Sequence, residues 1–357
     1  MLYLHSVKNL GFMMVSGYIH TLGDSTLDNL YWMLQNFDIK DAKLHSVEGV
    51  LQTLADGYKV VSHAYDGFTT QSVLEGDRIG EVLPSGPTKD SYMRERKGSQ
   101  VVHPLADLEQ NVSKAANTPH YIVISVGGND FRANFQNPWR LLKDIPEIQK
   151  RYLQIVEKVR SIPGRNVQPI LVLQYRTDAN HDPYLIYPLL GIIGVVAMMF
   201  HVTCLALLTA PVWIIAGKIS IWKGGLAFLT GAVGLHLSRK SIPLSVTKDV
   251  FLGKKISMVT LGALMQSFYQ PILEQAKKDR IPVLDLSNTF HPYRKLYEHG
   301  IEPSQEGGKL IAEGIYHILK HHDFRSESML YSKSSKNSIY TGVTNKNPSA
   351  WRVAYPH

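Results

Sequence analysis

Five short apolar runs, each bounded by turn residues and followed by a helical pattern, constrain the fold of this chain more than any other feature. They are rich in Val, Ile and Leu and lie at residues 17–22, 59–64, 121–126, 169–174 and 281–286. Such runs are typical of strands buried on both faces of a sheet. Amphipathic helical patterns lie at residues 27–37, 47–56, 105–116, 145–161, 256–279 and 304–322. The alternation predicts an α/β fold, a three-layer α/β/α sandwich with a parallel five-stranded sheet.

The composition is that of an ordinary globular protein, with 357 residues, 44% apolar and 19% charged. The net charge of +8 favours contact with anionic surfaces. No basic stretch with interleaved aromatic residues is present, so we do not expect nucleic acid as a partner. The single cysteine, Cys204, excludes a disulfide framework and is expected to be a buried thiol. His317 and His321 have a metal-like spacing but no third ligand nearby, so we expect no metal and no cofactor.

A long apolar segment interrupts the α/β pattern. Residues 185–216 carry no charge apart from a possible one on His201. Their length exceeds the roughly 20 residues that a helix needs to cross a bilayer. A shorter, Gly-rich apolar segment follows after Lys218 and Lys223. We therefore predict a transmembrane or re-entrant helical hairpin over residues 185–239, with a buried core hairpin of a soluble protein as the alternative.

The position of this insertion constrains how often it can cross. It lies between the runs at 169–174 and 281–286, and if both belong to one sheet the two ends of the insertion emerge on the same side. The number of crossings is then even. A hairpin that enters the bilayer would make this a membrane protein, and basic residues after the insertion favour an orientation in which the globular domain lies in the cytoplasm. The lysines at the hairpin tip oppose this orientation. These residues are Arg239, Lys240, Lys248, Lys254 and Lys255.

Three domains are therefore expected. A discontinuous globular domain comprises residues 12–184 and 240–322, and the hairpin separates its two parts. Residues 323–357 are rich in Ser, Asn, Lys and Tyr and show little periodicity, which predicts a flexible basic tail. Residues 1–11 lack the continuous apolar core of a cleavable signal.

Polar or glycine residues follow three of the predicted strands where each strand ends. Gly23-Asp24-Ser25 follows the first, Gly67 the second, and Gly127-Gly128-Asn129 the third. The carboxyl ends of parallel strands share one edge of the sheet, where ligands of open α/β folds bind. Ser25 is a candidate nucleophile there, and the Asn129 amide and Gly67 N–H are candidate oxyanion donors. Each residue also has an ordinary explanation, as a helix cap or a turn residue.

These blocks, in this order, resemble those of the SGNH hydrolases, also called the GDSL esterase/lipase family. Gly23-Asp24-Ser25 matches the first block with its nucleophile, and Gly127 to Asp130 match the third block, Gly-x-Asn-Asp. Gly67 fits the oxyanion-hole glycine of the second block. The resemblance implies an esterase that forms an acyl-enzyme at Ser25, with Gly67 and Asn129 in the oxyanion hole. It covers roughly residues 18–179 and 257–319.

The fourth block departs from the family pattern, Asp-x-x-His, in which the His is the general base. This chain has His299-Gly300-Ile301-Glu302. Glu302 stands in the place of the base, and an ordinary carboxyl pKa near 4 makes it a weak partner for a hydroxyl unless burial raises that pKa. Alternatively, His299 is the base and Glu302 orients it. A third alternative recruits another histidine: His63, His103 or His291.

Two functions follow from these observations. The first is a membrane-anchored serine esterase or lipase-type hydrolase that acts on carboxylic esters through Ser25. Its substrate would be an acyl ester or a lipid, because a membrane hairpin over residues 185–237 would hold the active edge near the bilayer. The second is a catalytically degenerate binding or scaffold protein that the same hairpin tethers to a membrane.

Overall fold

The computed structural model describes residues 15–34, 36–79, 100–134, 138–163, 166–175, 186–238, 245–252, 255–290, 295–298, 300–333, 339–344 and 351. The strands are β1 (Gly17–Gly23), β2 (Tyr58–Ala64), β3 (Asp77–Arg78), β4 (Val101–Val102), β5 (His120–Ser125), β6 (Val167–Leu173), β7 (Val283–Asp285), β8 (Tyr297–Glu298), β9 (Glu302–Pro303), β10 (Met329–Ser332) and β11 (Thr341–Thr344).

The helices are α1 (Leu30–Met33), α2 (Ile39–His45), α3 (Val47–Leu54), α4 (Thr70–Glu75), α5 (Pro104–Lys114), α6 (Gly128–Asn134), α7 (Pro138–Ser161), α8 (Ile186–Leu208), α9 (Ala210–Ile215), α10 (Ile221–Ser238), α11 (Ser245–Phe251), α12 (Ile256–Asp279), α13 (Leu286–Thr289) and α14 (Gln305–His321).

A seven-stranded sheet forms the centre of the molecule, in the order β11-β10-β7-β6-β5-β1-β2. Within this sheet the neighbouring strands pair in parallel in the order β10, β7, β6, β5, β1 and β2. The edge strand β11 pairs antiparallel with β10. Parallel strands joined by helices are covered on both faces. On one face, Leu22 packs in a core with side chains of α5, α7 and α12. On the other face, Ile19 packs with side chains of α3 and α14. The predicted three-layer α/β/α sandwich is confirmed.

The sheet is two strands wider than the predicted five, because the segment predicted to be a flexible tail supplies β10 and β11. Tyr331 and Tyr340 of this segment are buried against the sheet and α14. The Ser328 hydroxyl donates a hydrogen bond to the carbonyl of Ile281, just before β7. The anchoring residues are separated by polar ones, so no strand or helix period is visible in the sequence.

The order of the strands places a topological switch point beside β1. This strand pairs with β2 on one side and with β5 on the other. In doubly wound sheets of this order, ligands bind in the crevice at the carboxyl ends of the strands where the winding changes direction. Because β1 ends at Gly23 and β5 ends at Ser125, the residues that follow these two strands flank the crevice.

The apolar insertion folds as a helical hairpin, in which α8 and α10 pack against each other. Gly231 and Gly234 permit the close approach, since a Cβ atom at Gly231 would lie 2.6 Å from the Cys204 carbonyl oxygen. Cys204 is buried between the helices, as predicted. Within the described residues, the stretch Pro188–Ile215 is the one helix long and apolar enough to cross a membrane, and 28% of its most apolar window is buried.

Three buried histidines form a hydrogen-bonded chain across β1, β2 and β5. His20 Nδ1 lies 3.2 Å from His63 Nε2, and His20 Nε2 lies 3.0 Å from His120 Nδ1. His120 Nε2 in turn lies 3.0 Å from the carbonyl oxygen of Ala115. Burial lowers the pKa of His20 to about 3 and that of His63 to about 4, which keeps both rings uncharged in the folded protein.

The buried, uncharged histidines predict that the protein loses stability in acid. An unfolded histidine has a pKa of about 6.5, so below that pH the unfolded chain binds protons that folded His20 and His63 do not. The free energy of unfolding should therefore fall as the pH is lowered from about 7 to about 4.5. Urea titrations at several pH values measure how steeply the free energy of unfolding depends on pH. We expect His63→Gln to reduce this dependence by the equivalent of up to one bound proton. The exposed His321→Gln is the control, and an unchanged slope in His63→Gln would contradict the assignment.

Candidate active site at the switch point

The turn after β1 holds Ser25 at the carboxyl edge of the sheet. Gly23 has φ +147°, and a Cβ atom there would lie 1.7 Å from the carbonyl oxygen of Ser125, so the two strands approach closely only because this residue is glycine. The Asp24 N–H donates to the same oxygen over 3.0 Å. The next helix, α1, begins only at Leu30, with Asn29 at its N-cap. Ser25 therefore does not cap this helix, which removes one of the two ordinary explanations for this serine.

Glu302 lies directly beside Ser25. Its side chain is buried in β9, with 3% exposed, and lines the same cavity as Ser25, close enough for the Ser25 hydroxyl to stabilise its charged form. Arg132 Nη1 lies 3.4 Å from Glu302 Oε1. Burial raises the pKa of Glu302 to about 8, and the charge of Asp66 contributes to the increase, while the Ser25 hydrogen bond and Arg132 oppose it. A carboxylate with this pKa is a far stronger base than an ordinary Glu.

Asn129 reaches the site from the first turn of α6. Its side-chain Nδ2 donates to the carbonyl oxygen of Phe68 over 3.0 Å, which ties α6 to the turn after β2. An amide carries two N–H donors, so this bond uses one of the two. Gly67, with φ +79°, lies in the same turn, one residue before Phe68. It does not line the described part of the pocket, and its role as an oxyanion donor stays a prediction.

These side chains line one cavity of about 100 Å³. The structure therefore brings together Ser25, Asn129 and Glu302, which are separated by more than 100 residues in the chain. The full lining of described residues is Asp24, Ser25, Thr26, Gly128, Asn129, Arg132, Gln174, Tyr175, Ile301 and Glu302.

Several pocket residues do not belong to any sequence motif, and Gln174 and Arg132 are two of them. Gln174 follows β6, and its Nε2 donates to Asp24 Oδ2 over 2.6 Å. The buried Asp24 also accepts from the Thr26 N–H over 3.1 Å, and burial raises the pKa of Asp24 to about 7. Arg132 lies one helical turn after Asn129. Position alone could have identified them. Gln174 lies at the exit of the fourth predicted strand, and Arg132 lies at i+3 from the motif residue Asn129.

Asp130, the last residue of the third block, stabilises the site from outside the pocket. It accepts hydrogen bonds from the N–H and the hydroxyl of Thr70, both over 2.7 Å. Arg151 Nη2 lies 3.2 Å from Asp130 Oδ1. Asp130 therefore joins α6 to α4 and α7, which fixes the helix that presents Asn129 and Arg132.

Of the alternative histidine bases, the two that the structure describes do not reach Ser25. His63 is bonded to His20 inside the sheet, and His103 Nδ1 lies 3.1 Å from the Glu75 carbonyl oxygen. His299 and His291 lie outside the described residues, so a role for either stays a prediction. No group of three or more His, Cys, Asp or Glu placed to hold a metal ion occurs among the described residues.

The burial of Glu302 predicts a cost in stability that depends on pH. Between about pH 4.5 and about pH 8 the unfolded chain has released the Glu302 proton while the folded chain keeps it, so stability falls as the pH rises through this window. Glu302→Gln removes the ionisation. We expect its free energy of unfolding to match the wild type near pH 5 and to exceed it by on the order of a few kcal/mol above pH 8. Urea titrations measure the difference.

The exposed Glu157→Gln on α7 is the matched control and should track the wild type at both pH values. If the free energies of unfolding of the wild type and Glu302→Gln differ by the same amount at pH 5 and at pH 9, Glu302 does not titrate in this window.

Comparisons with known proteins find no match in sequence and a distant likeness in structure. No family model and no curated protein sequence matches the chain. Among solved structures, the native aryl esterase of M. smegmatis matches with a TM-score of 0.40 and 12% identity, over 85% of this chain and 98% of that one. Est24, a carbohydrate acetylesterase from Sinorhizobium meliloti, matches with a TM-score of 0.37 and 11% identity over the same shares. Solved structures that resemble this chain thus include esterases.

Proposed function

We propose that this protein is a serine hydrolase that cleaves carboxylic esters, with Ser25 as nucleophile and Glu302 as general base. The observation that carries the proposal is the meeting of the Ser25 hydroxyl and the buried Glu302 carboxylate in one cavity. Asn129 lines the same cavity and offers the donor that such a reaction needs. A helix cap or a structural turn would not require these three groups to meet.

The chemistry follows the two-step route of serine esterases. Glu302 accepts the Ser25 proton as Oγ attacks the ester carbonyl, and the Asn129 amide with the Ser25 and Gly67 N–H groups holds the oxyanion. Glu302 then returns the proton to the departing alkoxide, which leaves an acyl group on Ser25. Water repeats the sequence and releases the acid. Because the pKa of Glu302 is raised to about 8, the active, ionised fraction grows as the pH rises above neutral.

We further propose that the hairpin of α8 and α10 anchors the protein in a membrane. Its outer surface is apolar and exposed, with Met199 63% and Leu226 68% accessible. Trp213 and Trp222 are exposed at the tip, close in sequence to Lys218 and Lys223. Trp and Lys together are typical of the boundary between lipid and water. A buried core hairpin would hide the apolar side chains that this one exposes.

The sheet supports an even number of crossings. The strands on either side of the insertion, β6 and β7, are neighbours in one sheet, so both ends of the hairpin belong to the same globular body. At 1.5 Å per residue, α10 with its 18 residues is about 27 Å long. That length is close to the roughly 30 Å hydrocarbon thickness of a bilayer. The basic residues after the insertion favour the cytoplasm for the globular domain.

The helix α12 supports an acyl ester or lipid as the substrate, because it extends from the hairpin to the site. Near its start, Thr260 Oγ1 would lie 2.3 Å from a Cβ atom at Gly194 of α8, so the two helices are in close contact. In its second half, the Tyr269 hydroxyl accepts a hydrogen bond from the N–H of Gln174 over 2.9 Å. The helix α12 thus connects the proposed anchor to the proposed active edge.

A binding or scaffold protein is the second candidate, and one observation favours it. A carboxyl group with a pKa of about 8 is mostly protonated at neutral pH and then cannot accept the serine proton. The two functions therefore differ in the reactivity of Ser25 at alkaline pH, where Glu302 is ionised.

We expect a fluorophosphonate probe to label the wild type, and to label it faster at pH 9 than at pH 7. Ser25→Ala should abolish labelling, and Glu302→Gln should slow it by about 100-fold or more, because a positioned general base contributes on this order. His299→Ala should still label. The exposed Ser161→Ala is the control. Absence of labelling of the folded wild type at both pH values would favour the scaffold function, and loss in His299→Ala with retention in Glu302→Gln would make His299 the base.

The membrane anchor predicts resistance to carbonate extraction. Full-length protein should stay in the membrane pellet after alkaline carbonate treatment, whereas a variant that lacks residues 185–237 should be released. Immunoblots of pellet and supernatant measure the partition. Recovery of the full-length chain in the supernatant would refute a spanning or deeply re-entrant hairpin.

A further inference from the structure

We propose that Arg132 is a positioning residue that stabilises the ionised form of the Glu302 carboxyl group and aims it at Ser25. The inference rests on the proposed function, since it assigns a partner to the base of that reaction. Arg132 Nη1 lies 3.4 Å from Glu302 Oε1, and both side chains line the cavity that contains Ser25. The side chain of Arg132 is 27% exposed, so it lies between the buried carboxylate and solvent.

The helix that carries Arg132 places it next to Glu302. Asn129 and Arg132 are three residues apart on α6 and therefore lie on the same face of the helix. The helix is fixed at Asp130, which is bonded to Thr70 of α4 and to Arg151 of α7. The same short helix thus presents one donor for the oxyanion and one cation for the base.

The charges around Glu302 explain why a cation is needed there. The described charged groups that act on it are Asp66 from the turn after β2, Asp24 from the turn after β1, and Arg132 from α6. The Ser25 hydroxyl and Tyr175 also lie close enough to interact with it. Without Arg132, the carboxylate would face two acidic side chains and burial, and among the described groups the Ser25 hydroxyl alone would stabilise its charge.

This arrangement reverses the charges of the usual serine triad. In a Ser-His-Asp triad, a carboxylate orients a basic imidazole and stabilises its positive form. Here the base is itself a carboxylate, so the group that orients it and stabilises its reactive form must be positive. A guanidinium suits this position because it stays charged at every relevant pH and its planar face holds a fixed geometry.

The test compares the titration of Glu302 in the wild type, Arg132→Gln and Arg132→Lys. The infrared carbonyl band of the protonated Glu302 carboxyl, identified by its absence in Glu302→Gln, reports ionisation without any need for activity. The rate of fluorophosphonate labelling against pH reports the same group through Ser25. An opposite charge at this distance lowers a carboxyl pKa by about one unit or more. Its removal should therefore move both midpoints to higher pH by about that amount.

We expect Arg132→Lys, which keeps the charge, to restore at least half of the shift, and Arg140→Gln, an exposed arginine on α7, to leave both midpoints unchanged. An infrared midpoint that is the same in Arg132→Gln and the wild type would overturn the inference. So would equal shifts in the Gln and Lys variants. If the folded wild type does not label but the infrared midpoint moves, Arg132 acts on Glu302 as stated, and only the esterase function fails.

Discussion

The close pairing of β1 with β5 is the constraint on which the site depends. The two strands stay in contact to their last residues because Gly23 leaves no side chain between them, and the Asp24 N–H extends the pairing beyond the strand. The chains that leave these strands then diverge on either side of the switch point. Ser25 and Asn129 face the same crevice as a result.

In the proposed mechanism a buried carboxylate takes the place of a histidine as the base, and this changes what the surrounding residues must do. Imidazole titrates near neutral pH without help, whereas a carboxyl group reaches that range only by burial. Burial of Glu302 supplies the basicity, and it also makes the ionised form costly. Arg132 and the Ser25 hydroxyl offset part of that cost. The same environment thus sets the strength of the base and limits its ionised fraction at neutral pH.

The sequence predicted the fold well because the buried strands are continuous apolar runs. All five predicted strands occur, and Ser25 and Asn129 lie at strand exits as expected. The sequence could not reveal β10 and β11, since their packing depends on scattered residues such as Tyr331 rather than on a period. Nor could it choose among the bases. The proximity of Glu302 to Ser25, which are far apart in the chain, became visible only in the structure, and so did the contact between Arg132 and Glu302.

Acylation of Ser25 itself is the central claim, and mass spectrometry after mixing with p-nitrophenyl acetate tests it most directly. The protein would be mixed at pH 9, quenched in acid within seconds and digested. The account predicts that the peptide containing Ser25 gains one acetyl group and that the Ser25→Ala peptide does not. An unmodified Ser25 peptide, or an acetyl group carried by another residue in both proteins, would contradict it.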